Sequence, residues 1–144
     1  MIFSKNIISI PKPRLFSFAE CLYFLDRGYD DCLYSIENNS VLKPLQVDGS
    51  PLILQVRDDI KSLSVEIVYG ETSGKNNQFV VDYVTKWFDL EQDLQPFYRM
   101  LDQHPQLAFM PEQYQGLRLM GIPDLFEALC WCVIGQQINL TFAY

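Results

Sequence analysis

The sequence predicts an α+β fold in which an antiparallel sheet carries two helices on one face and further helices follow. Runs of alternating apolar and polar residues, separated by turn residues, lie between residues 32 and 69 and predict strands. Apolar residues at helical spacing precede these runs at 18–25 and follow them at 77–88. Another helical pattern begins near Asp124.

The composition supports a packed core and limits what charge can contribute to function. Of the 144 residues, 49% are hydrophobic and 14% are aromatic, which is ample for a globular chain. The formal net charge is -7, the wrong sign for a surface that holds phosphates, because such affinity rests on Lys and Arg. The charge of this chain therefore predicts no contact with a phosphate backbone.

The four cysteines predict neither a metal site nor a redox motif. None forms the pair with a two-residue gap that such motifs use, so we expect small buried side chains in a reducing compartment at Cys21, Cys32, Cys130 and Cys132. We expect no metal and no cofactor.

Targeting and membrane signals are not predicted either. The N-terminus lacks a continuous apolar region that ends in a cleavage site. The uncharged residues 128–144 include polar side chains and fall short of the roughly 20 apolar residues that a bilayer requires. We expect a cytoplasmic protein without a membrane segment.

The first predicted elements are an edge strand and a helix. Residues 7–10 are β-prone, and Pro11 lacks the amide that a central strand would use. Ser17 with Glu20 three positions later matches the capping box that starts a helix. Phe24 lies beside the apolar stripe of this helix, so we expect it to be partly exposed on this domain and to contact another one.

The strands that follow are predicted to form an antiparallel meander. Asn38 and Asn39 supply a tight turn after the first of them, and Pro44 marks an edge or a bulge in the second. Pairs of large apolar residues every four positions then predict a helix from Asn77 that covers one face of the sheet.

A second domain is predicted to begin with a helical tract that starts at Asp89 and Asp93 and ends before Pro105. Residues 107–121 are predicted to be an irregular connector. We therefore divide the chain into a domain at residues 1–90 and the start of a helical domain at 91–144.

The last predicted helix is the most distinctive stretch. Asp124, with Glu127 three positions on, has the reciprocal arrangement that satisfies the free amides of a helix start. Residues 128–134 are all apolar, so we expect this helix to be central and surrounded by other elements.

The predicted end of this helix places two amides at a junction. Gly135 can adopt the conformation that ends a helix, and Asn139 can cap a second one, so Gln136 and Gln137 are predicted to lie on a short connection. A polar loop that merely satisfies backbone groups is the alternative interpretation.

Several short motifs resemble one enzyme family. They are Gly-Leu-Arg-Leu at 116–119, Gly121, Asp-Leu-Phe-Glu at 124–127, Ile-Gly-Gln-Gln at 134–137 and Ala143. Together they resemble the start of the glycosylase domain of AlkA-type DNA-3-methyladenine glycosylase II, a family of helix-hairpin-helix base-excision enzymes. The order strand, helix, four strands, helix is that of one half of a TATA-box-binding-protein fold. The N-terminal domain of this family is built in the same way.

The resemblance implies a function and three site residues. The family flips a damaged nucleotide out of double-stranded DNA and hydrolytically excises alkylated bases such as 3-methyladenine, without a cofactor. Gln137 holds the position of the plug that enters the duplex, where many members have leucine, and Gln136 would border the base pocket. Phe24 matches an aromatic residue that helps to wall this pocket, with plain core packing as the alternative.

The resemblance also implies that part of the enzyme is not in this sequence. The catalytic aspartate of the family lies in a later helix, and no residue up to Tyr144 matches it. We therefore expect a truncated chain that is inactive alone and whose acidic surface is scaffold. Its tail would expose apolar residues and self-associate, at Leu129, Trp131, Val133 and Phe142. A non-enzymatic α+β interaction module that docks a partner through this tail is the alternative function.

Overall fold

The computed structural model describes residues 7–26, 28 and 32–137, and its α+β architecture confirms the predicted fold class. The strands are β1 (Ile7–Pro11), β2 (Ser35–Glu37), β3 (Ser40–Val47), β4 (Ser50–Asp58) and β5 (Ser62–Tyr69). The α-helices are α1 (Phe18–Leu25), α2 (Gly74–Trp87), α3 (Gln95–Asp102), α4 (Phe109–Gln113) and α5 (Leu125–Gln137), and a 3₁₀ turn spans Pro105–Leu107.

The five strands form one antiparallel sheet in the order β1-β5-β4-β3-β2, so the predicted edge strand and the predicted meander are both confirmed. Asn38 and Asn39, with φ of 50° and 55°, make the tight turn between β2 and β3. The pairing of β2 with β3 reaches only from Glu37 to Ser35, which lies opposite Leu42. Pro44 lies beyond the part of β3 that pairs with β2, so its missing amide removes no hydrogen bond between these two strands.

The two helices α1 and α2 pack on one face of the sheet, as the sequence predicts. Their buried side chains join those of the strands in one apolar cluster. This cluster includes Phe18, Cys21, Leu22 and Leu25 from α1 and Val80, Tyr83, Val84 and Trp87 from α2.

The expected burial of the cysteines is correct at one position and wrong at two. Cys21 is buried in the core, and burial raises the pKa of its thiol to about 11, so the side chain stays neutral. Cys32 and Cys132 are exposed, because Cys32 lies in the turn before β2 and Cys132 lies on an uncovered side of α5.

The predicted start of α2 is three residues late. The helix begins at Gly74 instead of Asn77, because Ser73 caps it by accepting a hydrogen bond from the amide of Asn76 at 3.1 Å. The prediction used only the spacing of apolar residues and did not consider Ser73 as a cap.

The start of the helical tract after α2 also differs from the prediction. Asp89 does not begin a helix: it has a φ of 50° and lies in the turn after α2. The start near Asp93 is correct, since its carboxylate accepts a hydrogen bond from the amide of Gln95 at 2.9 Å. The predicted irregular connector contains α4 and part of the 3₁₀ turn. Throughout the described residues, every helix is too short or too polar to cross a bilayer.

Arg118 joins three segments of the chain that are far apart in sequence. Its side chain is 2% exposed, and Nε and Nη2 donate to the carbonyl of Leu15 at 3.0 and 2.8 Å. Nη1 donates to the carbonyl of Gln92 at 2.8 Å and to that of Asp89. Burial lowers the pKa of Arg118, and the nearby Asp89 carboxylate opposes this shift. The guanidinium thus fixes the loop before α1, the turn after α2 and the segment that leads to α5.

Gly116 brings this same segment against the start of α1. Its φ is +81°, its carbonyl accepts a hydrogen bond from the amide of Ser17 at 2.9 Å, and its amide donates to the hydroxyl of Tyr98 at 2.8 Å. A Cβ at this position would lie 2.7 Å from the carbonyl carbon of Phe16. Only glycine fits both the conformation and the space.

We predict that Gly116→Ala lowers the free energy of unfolding by about 3 kcal/mol, from a strained positive φ together with a backbone clash. Urea denaturation monitored by circular dichroism measures this change. The matched control is Gly74→Ala, at the first residue of α2 in open space, which we expect to change stability by less than about 1 kcal/mol. Equal effects of the two substitutions would contradict the packing described here.

We predict that Arg118→Met lowers the free energy of unfolding by about 3 kcal/mol or more, because three backbone carbonyls lose their donor in a buried setting. Arg99→Met, at an exposed position of α3, is the control, with an expected change within about 0.5 kcal/mol. The same denaturation measurement compares them, and a stable Arg118→Met protein would show that the guanidinium is dispensable.

Candidate nucleic-acid interface

The helix α5 carries the predicted DNA contacts, and its start is as the sequence predicts. Asp124 precedes the first helical residue, and its carboxylate accepts a hydrogen bond from the amide of Glu127 at 2.7 Å. This is one half of the predicted capping box. The carboxylate of Glu127 is directed elsewhere, toward Lys43.

Lys43 ties the first turn of α5 to the sheet. It lies on the packed face of β3, its side chain is 4% exposed, and its Nζ is 3.3 Å from Oε2 of Glu127. The ammonium also lies 6.0 Å from the centre of the Trp87 ring. Lys43 is not among the site residues predicted from the sequence. A signal was present, since Val41, Lys43 and Leu45 alternate onto one face and put a cation among apolar residues.

Tyr83 lies close to the same carboxylates. Burial raises the pKa of its phenol, and the negative charges of Glu127 and Asp124 raise it further. The phenol is therefore neutral at physiological pH. The carboxylate that pairs with Lys43 thus lies near an uncharged ring.

The predicted end of α5 at Gly135 is wrong, because the helix continues through Gln137. Gly135 is exposed, with no neighbour near its missing Cβ, and a single glycine inside a helix costs only ~1 kcal/mol relative to alanine, which does not end it. Gln136 and Gln137 therefore lie in the last described helical turn and not on a loop. The second helix predicted around Asn139 lies outside the described residues.

The three predicted site residues are not brought together by the described contacts. Gln136 is exposed, and within the described part of the chain its side chain makes no hydrogen bond. Phe24 is half-buried on α1, next to the exposed Tyr23, which agrees with its predicted position beside the apolar stripe. The roles of Gln136, Gln137 and Phe24 stay predictions.

The expectation that α5 is surrounded is not met within the described residues. Several of its apolar side chains are exposed, with Leu129 at 55% and Val133 at 63%. The reason is that the described elements pack near its first turn, through Lys43 and Glu127.

A cavity of about 620 Å³ lies between α3, α4 and the following segment, with mostly apolar walls that include Phe97, Leu101, Met110 and Leu117.

The charge distribution gives this region little attraction for phosphate. The only basic residue after Arg99 in the sequence is Arg118, which is buried and bonded to carbonyls. Among the described residues, no three His, Cys, Asp or Glu side chains are grouped so that they could hold a metal ion. What the site offers is the helix end itself, an exposed amide and an apolar surface.

Comparisons with known proteins give a family model, a relative and a solved structure that match this chain. A family model for 8-oxoguanine DNA glycosylase, N-terminal domain, matches residues 26–129. A DNA-3-methyladenine glycosylase of Bacillus subtilis (strain 168) is 40% identical over 143 residues, which are 96% of this chain and 47% of that protein. A solved structure of a 3-methyladenine DNA-glycosylase from Archaeoglobus fulgidus has the same fold, with a TM-score of 0.76 at 17% identity over 94% of this chain and 47% of that one.

These matches confirm the resemblance found in the sequence. The chain spans about half the length of the relatives that it matches. Because the family model covers more than half of the chain, the chain belongs to the family described as 8-oxoguanine DNA glycosylase, N-terminal domain.

Proposed function

We propose that this chain is the N-terminal part of a monofunctional DNA glycosylase that removes alkylated bases such as 3-methyladenine from double-stranded DNA. The observation that carries the proposal is the 40% identity, over 96% of the chain, with a protein named DNA-3-methyladenine glycosylase. The alignment spans nearly the whole chain and not only the short motifs.

The end of α5 has the character that this function needs. An enzyme that removes a base first takes the nucleotide out of the stack and fills the gap that it leaves. Gln136 is exposed at the end of a helix that is anchored at its start, so its amide is free to bind a base edge. We propose that Gln137 fills the gap and that Gln136 borders the base pocket.

Phe24 also has a role in this proposal. Its ring is half-buried on the surface of α1, and an electron-rich ring attracts a purine that alkylation has made cationic. We propose that Phe24 forms one wall of the base pocket.

The chemistry of base release is proposed to depend on residues outside this sequence. With only one basic residue after Arg99, and that one buried, the phosphate contacts are also proposed to come from elsewhere. In this proposal residues 1–90 are scaffold, 91–144 begin the glycosylase domain, and the chain alone is inactive.

The second candidate function is an interaction module that docks or self-associates through α5. The exposure of Leu129 and Val133 favours it. Light scattering over a range of concentrations tests the self-association that this second function needs. Dimerisation that Val133→Glu abolishes supports self-association, and a chain that stays monomeric at every concentration removes that support.

We predict that the 144-residue chain releases no 3-methyladenine from methylated duplex DNA. The same chain, joined to the portion of the Bacillus subtilis relative that it does not cover, should release it at a measurable rate. Liquid chromatography of the released bases measures both. A duplex with a single 8-oxoguanine is the substrate control, and release of that base alone would contradict the proposed specificity.

In the active joined protein we predict that Gln136→Ala lowers kcat/KM about tenfold, because one hydrogen bond to a base edge is worth ~1–3 kcal/mol. Gln113→Ala, at an exposed glutamine at the end of α4, is the matched control and should leave kcat/KM unchanged. Equal rates for the two variants would remove Gln136 from the site.

A further inference from the structure

An ion pair between a buried lysine and a partly exposed glutamate lies at the point where α5 meets the sheet. Lys43 comes from the packed face of β3, among residues of the apolar core, and Glu127 comes from the first turn of α5, 84 positions later. Removing an ammonium from water is costly, and a lysine remains at such a position only with a partner that compensates the charge. The arrangement thus requires that Glu127 faces the sheet.

The contacts of Glu127 fix both the start of α5 and the rotation of this helix about its axis. Its amide donates to the carboxylate of Asp124, which sets where the helix begins. Its carboxylate binds Lys43, which sets the rotation of the helix about its own axis. A helix rotated from this position would leave Nζ of Lys43 buried beside the ring of Trp87 without its anion.

The rotation fixed at Glu127 determines the direction of Gln136. The helix is continuous from Leu125 to Gln137, and Gln136 lies about two and a half turns beyond Glu127 at 3.6 residues per turn. Gln136 is therefore on the opposite side of the helix from Glu127, facing away from the sheet. Its exposure agrees with this geometry.

We infer that Lys43 and Glu127 are positioning residues: their partly buried ion pair sets the rotation of α5 on the sheet and so presents Gln136 on the side that faces away from the scaffold. The consequence for DNA rests on the proposed function. The rotation itself does not, and it is measurable without any substrate. The uncharged Tyr83 and the capping Asp124 are titratable groups near Glu127 among the described residues.

The first measurement uses the 144-residue chain, with nitroxide amino acids incorporated at Gln136 and at Arg57 on the exposed face of β4 so that the native cysteines stay in place. Electron-electron double resonance should give one narrow distance for the parent chain. Lys43→Met keeps the length of the side chain and removes its charge. It should shift or broaden the distance between the two labels by roughly 5 Å, because a side chain moves across a helix ~10 Å wide when the helix rotates.

The matched control is Lys75→Met, which removes an ion pair with Asp48 whose two side chains are 74% and 69% exposed. It should leave the distance unchanged. The reversed pair, Lys43→Glu with Glu127→Lys, should restore the narrow distance. If Lys43→Met does not fold, Glu127→Gln removes the negative charge of the pair instead and should shift or broaden the same distance. A merely structural role would lower the thermal midpoint without moving the distance, and that result would overturn the inference.

The second measurement uses the joined protein that releases base. We expect Lys43→Met to slow single-turnover release about tenfold while affinity for undamaged duplex is unchanged, with recovery in the reversed pair. If the parent protein releases no alkylated base, the proposed function fails, and the distance measurement still decides the positioning role. If release slows only in proportion to lost DNA affinity, the pair is not positioning Gln136.

Discussion

The guanidinium of Arg118 is the constraint on which the arrangement of this chain depends. It lies almost wholly out of water and gives its hydrogen bonds to main-chain carbonyls of Leu15, Asp89 and Gln92. Two of these segments belong to the sheet domain and its boundary, and Arg118 itself leads into α5. Because a buried donor and buried acceptors are all costly to leave unpaired, the three segments are held as one unit.

A second buried cation completes this arrangement. Lys43 holds the first turn of α5 against β3, and Arg118 holds the segment just before it, so the helix is fixed at its start and exposed toward its end. Both cations serve the interior of a chain whose formal charge is -7. The surface is consequently more acidic than the composition alone suggests, which fits a scaffold that leaves phosphate binding to other parts of an enzyme.

The exposed apolar residues are concentrated in the helical part of the chain. The sheet and its two helices bury a single cluster, whereas Phe97, Phe109, Leu129 and Val133 are exposed on α3, α4 and α5. The sheet and its two helices therefore form a core of their own. The relatives are about twice as long as this chain.

The sequence by itself determined the elements whose signals are local. The capping pairs at Ser17 and Asp124, the Asn38-Asn39 turn and the alternation in the strands predicted α1, α5 and the meander, because these signals act over a few residues. The motifs around Gly116 and Gln136 also predicted the family. The end of α5 was wrong, since one glycine does not outweigh the helix around it.

Only the tertiary structure decided which residues hold the site in place. Lys43 and Glu127 are 84 positions apart, and Arg118 reaches Leu15 across 103 positions, so no local pattern connects them. An ion pair or a buried guanidinium forms only when folding brings its partners within a few ångströms, and its free energy depends on the water that the rest of the chain excludes. The direction of Gln136 follows from those distant contacts, because a helix pattern fixes spacing along the axis but not rotation against a neighbour.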